Sequence, residues 1–129
     1  MGKSCMPLSD SDPKYWFELA LRDAESGDIL RRESGPKEIA AYHYHQAAEK
    51  LLKGAILSGD ARFPYIHDLQ RLYGVLREAV PGLPDISDAV IDLQSMYTVF
   101  RYPHGDMIDE GRLDRAYAAY RMIKSAILS

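Results

Sequence analysis

Tyr42-His43-Tyr44-His45-Gln46-Ala47-Ala48-Glu49-Lys50-Leu51-Leu52-Lys53 reads as a helix with two unlike sides. At helical spacing Ala40, Tyr44, Ala47, Ala48, Leu51, Leu52 and Ala55 fall together, while Tyr42, His43, Gln46, Glu49, Lys50 and Lys53 gather opposite them. The first side is small and apolar and suits close helix packing. The second is dense in hydrogen-bonding groups, and is read as a solvated face, a dimer seam or a nucleotide contact.

Working outward, the punctuation on either side bounds further helices. Asp12 and Pro13 form a helix start, because an aspartate caps and a proline fits the first turn. Trp16, Leu19, Ala20, Ala24, Gly27 and Leu30 make the apolar stripe of this first helix, which Ser34-Gly35-Pro36 ends. The second helix runs to Ser58 and breaks at Gly59-Asp60. A third starts near His67, carries Leu69, Leu72, Tyr73 and Leu76 inward, and stops at Pro81-Gly82-Leu83-Pro84. The spacing predicts a fourth helix from the Asp85 cap to Arg101-Tyr102, where Pro103 disfavours further turns. A fifth opens around Asp109 with Leu113, Ala116, Tyr117, Tyr120, Ile123 and Ile127 inward. No segment alternates as a strand would, so the expected fold is all-α: an antiparallel four-helix-type bundle with an additional short helix, five helices in all.

The 129 residues, 47% of them hydrophobic, fit one domain over 13–129 behind a flexible leader of residues 1–12. A net charge of −3 gives no broad basic surface for nonspecific nucleic-acid binding, which leaves room only for a local basic cleft. Cys5, the single cysteine, has no intrachain disulfide partner and suits a reducing cytoplasm. No run approaches the roughly 20 apolar residues of a membrane span, and none resembles a signal peptide. The histidines His43, His45, His67 and His104 are dispersed, and His43 and His45 sit about 200° apart on a helix, so neither a metal site nor a cofactor is expected.

The Gln46-Ala47-Ala48-Glu49-Lys50 run, followed by His67-Asp68-Leu69 and then Arg101-Tyr102-Pro103, resembles the HEPN family of small helical domains. The resemblance extends from Trp16 to Ile127. It implies a nucleotide- or RNA-binding module that forms a homodimer and works beside a partner, often a minimal nucleotidyltransferase in a toxin-antitoxin arrangement. It also implies an alternative, a metal-independent endoribonuclease, since many members pair an Arg with a later His across a dimer interface. Here only Tyr102 and Pro103 separate Arg101 from His104, a shorter spacing than in those members.

As chemistry, a guanidinium at Arg101 can stabilise charge on a phosphate in flight and an imidazole at His104 can move a proton. The alternative is a structural arginine beside a loop histidine, in a noncatalytic protein or a protein-protein adaptor. For nucleotide contact the candidates are His43, Gln46, Lys50 and Lys53 along the second helix, with Tyr102 as a base-stacking ring. Asp23 lies inside the apolar stripe of the first helix and needs a cationic partner, for which Arg101, Lys50 and His43 are the candidates. It is read as part of a buried polar network. His67-Asp68 is read as the cap of the third helix.

Overall fold

A computed structural model describes residues 9–96 and 108–128. Five α-helices make up its regular structure, with no strand among the described residues: α1 Pro13–Arg32, α2 Lys37–Ser58, α3 Leu69–Ala79, α4 Ser87–Ser95 and α5 Glu110–Leu128. Of the leader expected at 1–12, residues 1–8, Cys5 among them, lie outside the described residues.

The caps follow the sequence chemistry. Asp12 accepts the Lys14 N–H, Asp68 accepts the N–H groups of Gln70 and Arg71, and Asp109 accepts that of Arg112. Asp85 accepts the backbone and hydroxyl hydrogens of Ser87 at the start of α4, and these bonds, the hydroxyl's first, hold its carboxyl below the usual range. The left-handed residue that closes α1 is Ser34 (φ 59°), and the one that follows α2 is Asp60 (φ 59°). Their neighbours Gly35 and Gly59 serve another purpose: a Cβ on Gly35 would meet Leu30 at 2.6 Å, and one on Gly59 would meet Val80 at 3.0 Å.

The core is built around α2. This helix packs most extensively on α1 and also touches α3, α4 and α5. The α1–α2 approach is close because small residues meet rings. Gly27 faces Tyr44, Gly54 faces Phe17, and a Cβ on either would come within 3 Å of the ring. Leu51, Leu52, Ile56, Leu69, Leu72, Leu76, Val90, Leu93 and Ile123 are fully enclosed.

Two expectations are corrected. The helix α4 ends at Ser95, well before Arg101-Tyr102, because the Met96 N–H turns back to Leu93 and the Ser95 hydroxyl takes the Asp92 carbonyl. Secondly, the hydrogen-bonding side of α2 is not one open face. Glu49 and Lys53 are buried, at 4% and 6% exposure, since a helix in contact with four others has little surface left.

Candidate functional site

The former polar side of α2 divides into two carboxylate-centred clusters. In the first, Asp23 projects from α1 between two side chains of α2. His43 Nδ1 lies 3.1 Å from Asp23 Oδ1, and the Lys50 ammonium donates to Oδ2. His43 and Lys50 are two helical turns apart, so one carboxylate placed between them reaches both. The bond from Nδ1–H leaves Nε2 as the acceptor of the neutral ring. The three side chains are only partly covered, at 26%, 24% and 16% exposure for His43, Lys50 and Asp23. Next along the helix Gln46 donates to the Tyr42 hydroxyl at 3.1 Å, and the Tyr42 ring meets His43 edge to face. The α1–α2 seam therefore presents an imidazole nitrogen, the ammonium hydrogens of Lys50 beyond the one given to Asp23, and an amide–phenol pair in a row.

In the second cluster Glu49 is the centre. Lys53 Nζ lies 2.9 Å and His67 Nδ1 3.1 Å from Glu49 Oε2. The Lys53 ammonium also sits 5.5 Å from the Trp16 ring and 5.3 Å from that of Phe63. His67, given to the α3 cap in the sequence reading, instead reaches back to α2, while Asp68 does the capping. His45, a residue that was not singled out as buried, is fully enclosed nearby. Burial holds its imidazole below the ordinary value, against the opposing attraction of Glu49. Ala41, Ala48 and Leu52, at positions −4, +3 and +7 from it, carried that signal in the sequence.

At the other end of the hairpin, Tyr44 donates to Asp28 at 2.5 Å and stacks on Tyr120, while Arg31 lies 4.0 Å from the Tyr117 ring. Burial, assisted by Asp28, raises both phenols, that of Tyr120 to about 12.

Of the sequence candidates, the fold joins Asp23, His43 and Lys50, sets Gln46 beside them, and sends Lys53 into the Glu49 cluster. Arg101, Tyr102 and His104 lie outside the described residues, so Asp23 has both of its other named partners. Among the described residues no group of three or more His, Cys, Asp or Glu side chains is arranged to hold a metal ion, and no described helix is long and apolar enough to cross a membrane.

Comparison with protein families matches the HEPN domain over residues 13–128. Neither the curated proteins nor the solved structures gave a match.

Proposed function

The chain belongs to the HEPN domain family, and from that premise we propose that it is a nucleotide- or RNA-binding module whose contact surface is the α1–α2 seam. The family is often linked to nucleotide or RNA binding and to ribonuclease activity. The observation that carries the reading is the hold of Asp23 on both His43 and Lys50. A lysine tied to a carboxylate loses rotamer freedom before any ligand arrives, which lowers the entropic cost of its further hydrogen bonds to a phosphate. His43 Nε2, Gln46 and Tyr42 supply hydrogen-bonding groups for a base or sugar. Because Asp23 offsets the charge of Lys50, binding at this seam is read as hydrogen-bond recognition with a weak salt dependence.

The proposed setting is a cytoplasmic homodimer that acts beside a partner such as a minimal nucleotidyltransferase, in a toxin-antitoxin pairing. The alternative activity is metal-independent RNA cleavage by Arg101 and His104 at the dimer interface, and a third reading is a protein-protein adaptor without a ligand.

Amide chemical-shift titration with mononucleotides and short single-stranded RNA tests these readings. Saturable shifts centred on His43, Gln46 and Lys50, lost in Lys50→Ala, are expected. Shifts that ignore this seam overturn the assignment, and silence with every ligand favours the adaptor. RNA cleavage by the isolated protein is expected to be weak or absent. Any cleavage present should persist in chelator and vanish in Arg101→Ala and in His104→Ala.

A further inference from the structure

The loop that joins α2 to α3 folds back over the start of α1 and leaves a cavity of about 420 Å³, within the range of small-molecule sites. Its lining includes Tyr15, Trp16, Phe63, Tyr65, Arg62 and Asp10, and none of Asp23, His43 or Lys50. Neighbouring rings stand nearly perpendicular. Tyr15 and Trp16 meet at 88° with centroids 5.3 Å apart, Trp16 and Phe63 at 85° and 5.2 Å, and Phe63 and Tyr65 at 69° and 6.1 Å. A flat ligand laid on one ring of such a corner therefore presents its edge to the next, and both contacts are favourable aromatic geometries.

Four features select the occupant. Tyr65 is 94% exposed, an apolar ring left in water on an otherwise ordered loop. Arg62 is exposed and makes no ion pair or hydrogen bond among the described residues, so its planar fork is open to an anion. A cationic guest gains little from these rings, because the Lys53 ammonium, paired with Glu49 behind them, already lies against Trp16 and Phe63, and Arg62 in the lining repels it. Asp10 offers a carboxylate that can accept from an exocyclic amine, and its carbonyl anchors the wall by accepting the Trp16 indole N–H at 2.8 Å.

We propose that this pocket is a second binding site, separate from the α1–α2 seam, for a planar heteroaromatic ring that carries an anionic group, the chemistry of a nucleoside monophosphate. The base stacks on Tyr65 and edges against Phe63 and Trp16, and Arg62 takes the phosphate. The proposal does not depend on the seam.

Trp16 is the single tryptophan of the chain, so its fluorescence reports on the pocket. The full-length protein is titrated with AMP, with adenosine and with ribose 5-phosphate, exciting at the red edge of the tryptophan band. AMP is expected to change the emission saturably, adenosine to do so more weakly, and ribose 5-phosphate to leave it unchanged. Arg62→Ala should raise the AMP dissociation constant by about tenfold, as loss of one charge-assisted contact does, and bring it to that of adenosine. Tyr65→Ala, at a surface position that leaves the fold intact, should weaken AMP and adenosine alike. Lys50→Ala should leave the titration unchanged. The absence of a saturable response to millimolar AMP overturns the proposal, as does equal binding by wild type, Arg62→Ala and Tyr65→Ala. Loss of the signal in Lys50→Ala, with the variant shown to be folded by circular dichroism, overturns it too, by placing the ligand at the seam.

Discussion

Asp23 of α1 and Lys50 of α2 stand 27 positions apart in the chain and meet in a charge-assisted hydrogen bond whose carboxylate also accepts from His43. The contact ties the two most extensively packed helices together at a polar point in an interface where small residues also meet rings and Tyr44 donates to Asp28. Removing either partner leaves the other partly buried without its counter-charge, which costs more than the bond itself contributes.

Asp23→Asn and Lys50→Met are each expected to destabilise the fold by about 1–3 kcal/mol, the penalty for a polar group left unsatisfied. The double variant should lose less than the two single losses added together, because it removes both charges at once. Urea denaturation of the four proteins measures the coupling. Additive losses would mean that the pair does not interact in solution.

His45 gives the fold an acid sensitivity. Its imidazole is held below the ordinary 6.5 by burial, with His67 adding to the shift and Glu49, Gln94 and Gln46 opposing it. The unfolded chain therefore takes up a proton that the folded chain refuses. Stability contributed by the neutral ring is present above about pH 6.5 and falls as the pH drops below it. Denaturation midpoints followed from neutral pH down to about pH 5 should decline less steeply in His45→Gln than in the wild type. Parallel declines would remove His45 as the cause.

The surroundings and backbone of three small residues predict substitutions of opposite sign. Gly54→Ala drives a methyl group to 2.6 Å from the Phe17 ring and should destabilise by about 1–3 kcal/mol through overpacking. Ser34→Gly frees a residue held at φ 59° and should stabilise by up to about 1 kcal/mol. Gly74→Ala, with nothing within 4 Å of the new methyl group and a helical position, should stabilise by about 0.5–1 kcal/mol. Thermal melts of the three variants rank them directly.

The proposed homodimer is expected to use parts of α2 and α4. Exposed apolar side chains stand on both, Ile39 and Tyr42 on α2 and Ile91 on α4. Multi-angle light scattering at micromolar concentration should give twice the chain mass, and Ile91→Asp should shift it toward the monomer. A monomer mass in the wild type would remove the shared interface on which the ribonuclease alternative depends.

Much of the fold was legible because local chemistry marks its joints. Asp12, Asp68 and Asp109 cap helices as carboxylates should, and the Gly and Pro clusters fall between elements. The inward stripes were legible too: Leu69, Leu72, Tyr73 and Leu76 of α3 are all buried. The end of α4 was less so, since a Ser95 hydroxyl competing for the Asp92 carbonyl is a contact that periodicity does not encode. At the candidate site the need of Asp23 for a cation was readable from its apolar surroundings, and the choice of cation was not.

The sequence by itself determined the order of the described helices, most of their inward residues and the family, because all three rest on spacing along one chain and on the preferences of single residues. Only the tertiary structure decided that α2 is enclosed by four neighbours, so that Glu49 and Lys53 became a buried pair while His43 and Lys50 stayed at a seam. It likewise decided that Trp16, Phe63 and Tyr65 meet at one corner, ring against ring. A helical repeat specifies which side a residue is on. What covers that side depends on where distant segments come to rest, and that is set by the packing of the whole core.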